Sequence, residues 1–254
     1  MPRTWTSALV TGASSGIGRE IALILAGEGT RVVAVARDRQ RLEALAKEVT
    51  EGAIEVLAAD LADPEQLATV EARAADVDLL VNNAGFGTYG DFVRLPVDGE
   101  EREIKVNVLA VVRLTHAALG PMLERDRGTI LNVSSVAGLQ STPGNATYGA
   151  TKAFVTSFSE AVHEEVRGTG VQVSMVLPGF TRTEFQERAG IEGRKIPDIA
   201  WMDATTCARI ALDGARAGKP FNVPGGVNKA LVTVTGFLPR SLVRRVAARM
   251  TRRL

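Results

Sequence analysis

Thr11-Gly12-Ala13-Ser14-Ser15-Gly16-Ile17-Gly18 follows the apolar run Ser7 to Val10 and leads directly into a helical pattern over Ile17 to Glu28. A strand that ends in glycines and opens onto a helix decides the fold class. Glycine accepts the backbone angles of a tight turn and, having no Cβ, allows another group to approach the main chain closely. The first N–H groups of a helix are unpaired and lie at the positive end of its dipole, so such a turn can receive a phosphate. The spacing here is G-x-x-x-G-x-G rather than G-x-G-x-x-G. Taken alone it suits either a nucleotide-binding turn or a purely structural one.

Outward from this turn, short runs rich in Val, Ile and Leu recur at Arg31 to Ala36, Ile54 to Ala59, Leu79 to Val81, Thr129 to Val133, Val171 to Leu177 and Pro220 to Val223. Helical patterns fall between them, at Arg39 to Val49, Pro64 to Ala74, about Gly99 to Glu124, Tyr148 to Arg167 and Asp203 to Ala217. Asp63 before Pro64 is an N-cap beside a proline at the first helical position. This alternation predicts a single-domain, Rossmann-like, doubly wound parallel α/β sheet of about seven strands with helices on both faces. The expected division is one domain over 1–236, with a polar, aperiodic lid over 184–201, and a separate basic segment over 237–254.

The chain has 254 residues, 45% hydrophobic and 23% charged, enough for a large core without metals or disulfides. Its net charge of +1 argues against nucleic acid as a partner. Cys207, the single cysteine, reads as a small packing residue. Met1 to Val10 leaves no room for a signal segment, and charges or glycines interrupt every long apolar run, so the expected location is cytoplasmic.

Tyr148 and Lys152 stand four residues apart in Thr-Tyr-Gly-Ala-Thr-Lys, thirteen residues after Ser135. On a helix they share a face, so an ammonium lies near a phenol and favours its phenolate. Tyr148 is then a candidate general acid/base. At the end of the second strand, where a carboxylate would bind the ribose hydroxyls of NAD, stand Ala36 and Arg37. A guanidinium there suits a 2′-phosphate, which predicts NADP(H); Asp38 beside it weighs the other way. Asp60, followed by Leu61 at the end of the third strand, could bind an adenine amino group or simply serve a turn. No residue pattern suggests a catalytic metal.

In order and spacing, Thr11 to Gly18, Asn82-Asn83-Ala84-Gly85, Asn107, Ser134-Ser135, Tyr148-x-x-x-Lys152 and Pro178-Gly179 resemble the short-chain dehydrogenase/reductase family over residues 6 to 183. The resemblance implies that Tyr148 exchanges a proton with a carbonyl or alcohol oxygen and that Ser135, rather than Ser134, hydrogen-bonds the same oxygen. It implies that Lys152 lowers the tyrosine pKa and binds the nicotinamide ribose, and that Asn107 holds a water in a relay to the lysine. The cofactor would contact Gly12, Ser14, Ser15, Gly16, Ile17, Gly18, Arg37, Asp60, Leu61, Asn83, Ala84, Gly85, Tyr148, Lys152, Pro178, Gly179, Thr181 and Thr183. The implied activity is NADPH-dependent transfer of hydride between nicotinamide and a ketone or secondary alcohol, in a homodimer or homotetramer.

Apolar residues near the lid (Phe185, Ile191, Ile196, Ile199, Trp201, Met202) hint at a hydrophobic or 3-oxoacyl substrate. A nucleotide-binding regulator or scaffold with the same fold is the alternative, against which the full set of Ser135, Tyr148 and Lys152 argues. The region after Phe237 carries six arginines and no acid, so the rest of the chain is left at −5. Over 238–254 Leu242, Val246 and Met250 form an apolar stripe, a basic amphipathic helix suited to the subunit interface, to peripheral contact with an anionic membrane or to a partly disordered tail.

Overall fold

A computed structural model describes residues 4–189 and 198–226, together with 228–230, 232 and 245. The strands are β1 (Ser7–Thr11), β2 (Arg31–Ala36), β3 (Ile54–Ala58), β4 (Leu79–Asn82), β5 (Gly128–Val133), β6 (Val171–Val176), β7 (Thr181–Arg182), β8 (Met202–Asp203) and β9 (Phe221–Asn222). The helices are α1 (Gly16–Gly27), α2 (Arg39–Ala46), α3 (Pro64–Ala74), α4 (Val97–Ile104), α5 (Ala110–Glu124), α6 (Ala146–Glu165), α7 (Phe185–Arg188) and α8 (Ala204–Arg216). The main sheet runs β3-β2-β1-β4-β5-β6-β9 with every pairing parallel, and β7 and β8 pair separately.

Alternation along each strand feeds two cores. Ala8 and Val10 of β1 point to one face, under Ile21 and Leu25 of α1, Leu42 and Leu45 of α2, and Ala208 to Ala215 of α8. Leu9 points to the other, with Val70 of α3, Leu114 and Met122 of α5 and Val162 of α6. Both faces are therefore covered, and the doubly wound sheet read from the sequence is the one observed. All seven expected strands form, and α3 starts where Asp63 accepts hydrogen bonds from the N–H groups of Glu65 and Gln66.

The helix expected over about 99–124 starts earlier and is interrupted. Between α4 and α5 the turn widens to a π-helix at Lys105–Leu109, a form that recurs at functional sites. The stretch Val97–Glu124 has the length and hydropathy of a membrane-crossing helix, yet Ala110, Leu114, Ala118 and Met122 pack on the sheet. Of the lid, Asp198–Ala200 forms a helical turn and α7 precedes it, while Ile191 and Ile196 lie outside the described residues. So does the amphipathic helix expected over 238–254, apart from Arg245.

The strand order reverses between β1 and β4, each of which continues to the opposite side. A crevice at the carboxyl ends of the strands forms at such a switch point. Gly12, Arg37, Asp60, Asn83, Ser135 and Pro178 all follow the carboxyl ends of sheet strands, so one edge gathers residues dispersed over the sequence.

Candidate active site

At the glycine turn, Gly12 and Gly16 have φ of +68° and +58°, a region that side chains rarely adopt. Thr11 Oγ1 accepts from the N–H groups of Asn83 (2.9 Å) and Ala84 (3.0 Å) and donates to the Val81 carbonyl. Asn83 Nδ2 donates in return to the carbonyls of Thr11 (2.8 Å) and Gly12 (3.3 Å). These bonds clamp the exits of β1 and β4 across the switch point. Ser15 is the extended N-cap of α1 and makes no side-chain cap bond, so no side chain of its own covers the first turn of this helix.

Gly18 is where α1 packs on that clamp. A Cβ there would lie 2.2 Å from Asn83 Nδ2 and 2.6 Å from the Gly12 carbonyl oxygen. Gly18→Ala is expected to lower Tm by about 3–10 °C, since overpacking costs about 1–3 kcal/mol in a rigid site. Thermal unfolding by circular dichroism checks this, and an unchanged Tm would show that the clamp can open freely.

Arg37 is exposed and makes no ion pair among the described residues. Asp38, which weighed against a 2′-phosphate, is turned to other work: it caps α2 through the N–H of Arg41 and faces the Arg41 guanidinium. Asp60 follows β3 as a turn residue, accepting from the Ala62 N–H (3.0 Å) while its other oxygen pairs with Arg102 of α4. Burial alone would raise its pKa, but the Ala62 N–H and the Arg102 and Arg37 guanidinium groups outweigh this and hold it below the usual range. Leu61 is buried in the core beside it.

Ser134 and Ser135 follow β5 and diverge. Ser134 is buried, its Oγ donating to the Lys152 carbonyl (2.9 Å) and lying 2.8 Å from Thr156 Oγ1, which makes it part of the sheet-to-α6 packing. Ser135 accepts from the Ala137 N–H (3.1 Å), lies 3.4 Å from the Pro178 carbonyl, and hydrogen-bonds the phenol of Tyr148. On α6 one turn further, the Lys152 ammonium donates to the Val133 carbonyl (2.8 Å) and lies 5.8 Å from the centre of the Tyr148 ring. Ser135, Tyr148 and Lys152 therefore meet, as their spacing predicts.

A Cβ on Gly87 would lie 3.0 Å from the Tyr148 ring, and Phe185 of α7 packs on that ring at 5.3 Å between centroids. Lid and loop thus hold the phenol between them. Asn107 is fully buried inside the π turn. Its Oδ1 accepts from the Phe86 N–H, and its Nδ2 donates to the Phe86 carbonyl and to Thr151 Oγ1. These bonds fix the loop beside Tyr148. Thr181 and Thr183 likewise bond within their own turn, and Thr183 also packs against Gly16.

Electrostatics correct the expectation of a lowered phenol pKa. Tyr148 keeps a partly exposed edge, but dense protein around it pushes its pKa up to about 12; the Ser135 hydrogen bond offsets part of this and the Glu103 carboxylate adds to it. Burial also draws Lys152 down to about 8, against the pull of Glu103. Desolvation disfavours the charged form of both groups and sets the direction of both shifts. Cys207 is buried and its thiol is raised to about 12 by burial, which fits the packing role.

A family model described as short chain dehydrogenase matches residues 6–192, most of the chain and all of the site just described. The chain belongs to the short-chain dehydrogenase/reductase family. It is thereby an oxidoreductase of the class that interconverts carbonyl and alcohol groups. A 3-oxoacyl-acyl-carrier-protein reductase of Synechocystis is 35% identical over 87% of this chain and 96% of its own length. A short-chain dehydrogenase of Sphingobium yanoikuyae, solved in complex with NADPH, is 35% identical with a TM-score of 0.81, covering 92% of this chain and 96% of that one. The bulky-bulky ketone specific alcohol dehydrogenase of Comamonas testosteroni is 31% identical with a TM-score of 0.77, over 94% and 96% of the two chains.

Within this short-chain dehydrogenase/reductase fold, sequence reading missed the ring of groups behind Tyr148. Thr88 donates from its N–H to Glu103 Oε2 (3.0 Å), and its hydroxyl contacts both Glu100 and Glu103. Thr147, adjacent to Tyr148, donates to Glu100. Their spacing puts both acids on one face of a helix, but nothing in the sequence marks that face as buried.

Proposed function

We propose that this chain is an NADP(H)-dependent reductase of ketones, with hydrophobic or 3-oxoacyl substrates, that also runs as an alcohol dehydrogenase. The convergence of Ser135, Tyr148 and Lys152 at the carboxyl edge of the sheet carries this reading. The residues present fit a dinucleotide: glycines at positive φ, a first helical turn without a side-chain cap, and no room for a Cβ at Gly18. Gly12, Ser14 to Gly18, Asn83 to Gly85, Asp60 and Leu61 would hold its phosphates and adenosine; Lys152, Pro178, Gly179, Thr181 and Thr183 its nicotinamide half. When bound, it supplies or takes up the hydride.

The protein's own residues manage charge and protons. Ser135 donates a hydrogen bond to the carbonyl oxygen and stabilises the negative charge that develops there. Tyr148 then delivers its proton to that oxygen. A phenol raised to about 12 holds that proton at neutral pH, the form that reduction needs, and must release it for alcohol oxidation. Lys152 supplies positive charge beneath the ring while it remains an ammonium. Asn107, through Phe86 and Thr151, keeps loop and helix in register around them.

The preference for the 2′-phosphate rests on Arg37, free of ion pairs among the described residues at the end of β2. A charge-assisted hydrogen bond contributes about 1.5–3 kcal/mol, so Arg37→Glu, which adds repulsion, is expected to raise KM for NADPH about 100-fold and favour NADH. Comparing kcat/KM for the two nucleotides checks this; a wild-type enzyme that uses NADH as well as NADPH would refute it. A panel of bulky ketones and 3-oxoacyl thioesters, read by NADPH absorbance, tests the substrate class. Turnover of small polar aldehydes alone would contradict it. We assign the exposed Leu109 and Phe154 to contact between copies of a homo-oligomer, tested by sedimentation.

A further inference from the structure

Helix α4 buries two of its acids and exposes the apolar residues at its two ends. Val97 and Ile104 are 74% and 47% exposed, whereas Glu100 and Glu103 are 5% and 0% exposed. Burying carboxyl groups while leaving apolar side chains in water costs free energy twice, so local packing alone does not account for this orientation. The buried acids face the back of the catalytic constellation. Glu103 Oε2 accepts from the Thr88 N–H and hydroxyl at 3.0 and 3.1 Å; Glu100 accepts from the same hydroxyl and from Thr147. One hydroxyl has one proton and cannot satisfy two carboxylates. Glu103 Oε1, fully enclosed, has no hydrogen-bond partner.

On the other side of the same region is the complementary deficit. Lys152 is 5% exposed and forms no ion pair among the described residues; its one protein hydrogen bond is to the neutral carbonyl of Val133. Gly85 lies against both Lys152 Nζ and Asn107 Oδ1, and Asn107 is one helical turn from Glu103. A buried cation without an anionic partner among the described residues and a buried acid with a spare oxygen thus lie behind one phenol. The titratable groups that face Glu103 are Glu100 on its own helix and Lys152 and Tyr148 on α6.

We propose that Glu103 is a positioning residue of the reaction: its buried carboxylate is the internal counter-charge of Lys152, keeping the ammonium charged beneath Tyr148, while Thr88 holds it in place. The proposal rests on the assignment of Tyr148 and Lys152 above. Burial raises the pKa of Glu103 to about 7, the Thr88 bonds opposing this and Glu100 adding to it. The counter-charge is therefore present above about pH 7 and lost below it. Lys152 needs it most where it begins to deprotonate, towards pH 8.

The test is an NMR titration of Lys152 in protein carrying side-chain-labelled lysine and saturated with NADP+, its resonance assigned by its loss in Lys152→Met. In Glu103→Gln, which keeps the shape and an acceptor for Thr88, the Lys152 midpoint is expected about one pH unit lower. The high-pH limb of kcat/KM for ketone reduction should fall by the same amount. Glu100→Gln, in the same hydrogen-bonded cluster, should leave the midpoint in place. An unmoved midpoint in Glu103→Gln, or an equal fall in both variants, overturns the proposal. Should Glu103→Gln not fold, the wild-type Lys152 resonance must show a second inflection near pH 7, and its absence has the same force. Because the NMR readout needs no turnover, the counter-charge can fail while Tyr148 remains the acid, and the reverse.

Discussion

Tyr148→Phe is expected to lower ketone turnover by about 10²–10⁴-fold, the usual contribution of a placed general acid, or about 3–5 kcal/mol of transition-state stabilisation. Fold and nucleotide affinity should stay close to wild type, because the ring fills the same space between Gly87 and Phe185 and only the hydroxyl that meets Ser135 is lost. Steady-state assays beside fluorescence titration of NADPH separate the two effects. Turnover within tenfold of wild type would remove the proposed mechanism and favour a nucleotide-binding regulator.

Lys152→Met ranks second. The substitution keeps an unbranched chain in a buried channel but removes the ammonium and leaves the Val133 carbonyl without its donor. Losing a charge-assisted contact made in the transition state, together with the desolvated partner it leaves behind, should cut kcat/KM by about 10²–10³-fold. The pH profile adds a sharper readout. Lys152 titrates at about 8 and is charged below that value, so wild-type reduction should be fast below pH 8 and decline above it. Tyr148, raised to about 12, stays protonated across that range, so the limb belongs to the lysine. In Lys152→Met the limb near pH 8 should vanish. Its persistence would mean another group governs the reaction.

Much of this was legible in the sequence because each signal was local. Val-rich runs bounded by glycine or helix caps gave every strand of the main sheet, and Asp63-Pro64 gave the start of α3. The spacing of Ser135, Tyr148 and Lys152 predicted their meeting because a single helix fixes two of them and the end of β5 fixes the third. Signals that depend on tertiary environment were not legible. The phenol pKa read from its neighbour alone came out in the wrong direction, because burial is invisible in the chain and here raises it, against the Ser135 hydrogen bond. Glu100 and Glu103 would be assigned to solvent by any amphipathic pattern, and only the folded chain shows Val97 outside in their place. The pair β7 and β8, two residues each, is too short to leave an alternation. The π turn around Asn107 showed only as a polar residue amid Val106 and Val108.

The proposed chemistry requires one carbonyl oxygen to reach two hydroxyl groups at once. A crystal structure of the enzyme with NADP+ and an unreactive ketone tests this most directly. The nucleotide is expected across the Gly12–Gly18 turn, with the ketone oxygen within about 2.6–3.2 Å of both Ser135 Oγ and Tyr148 Oη. A ketone bound with its oxygen away from Tyr148, or a nucleotide lying elsewhere than the carboxyl edge of the sheet, would contradict it.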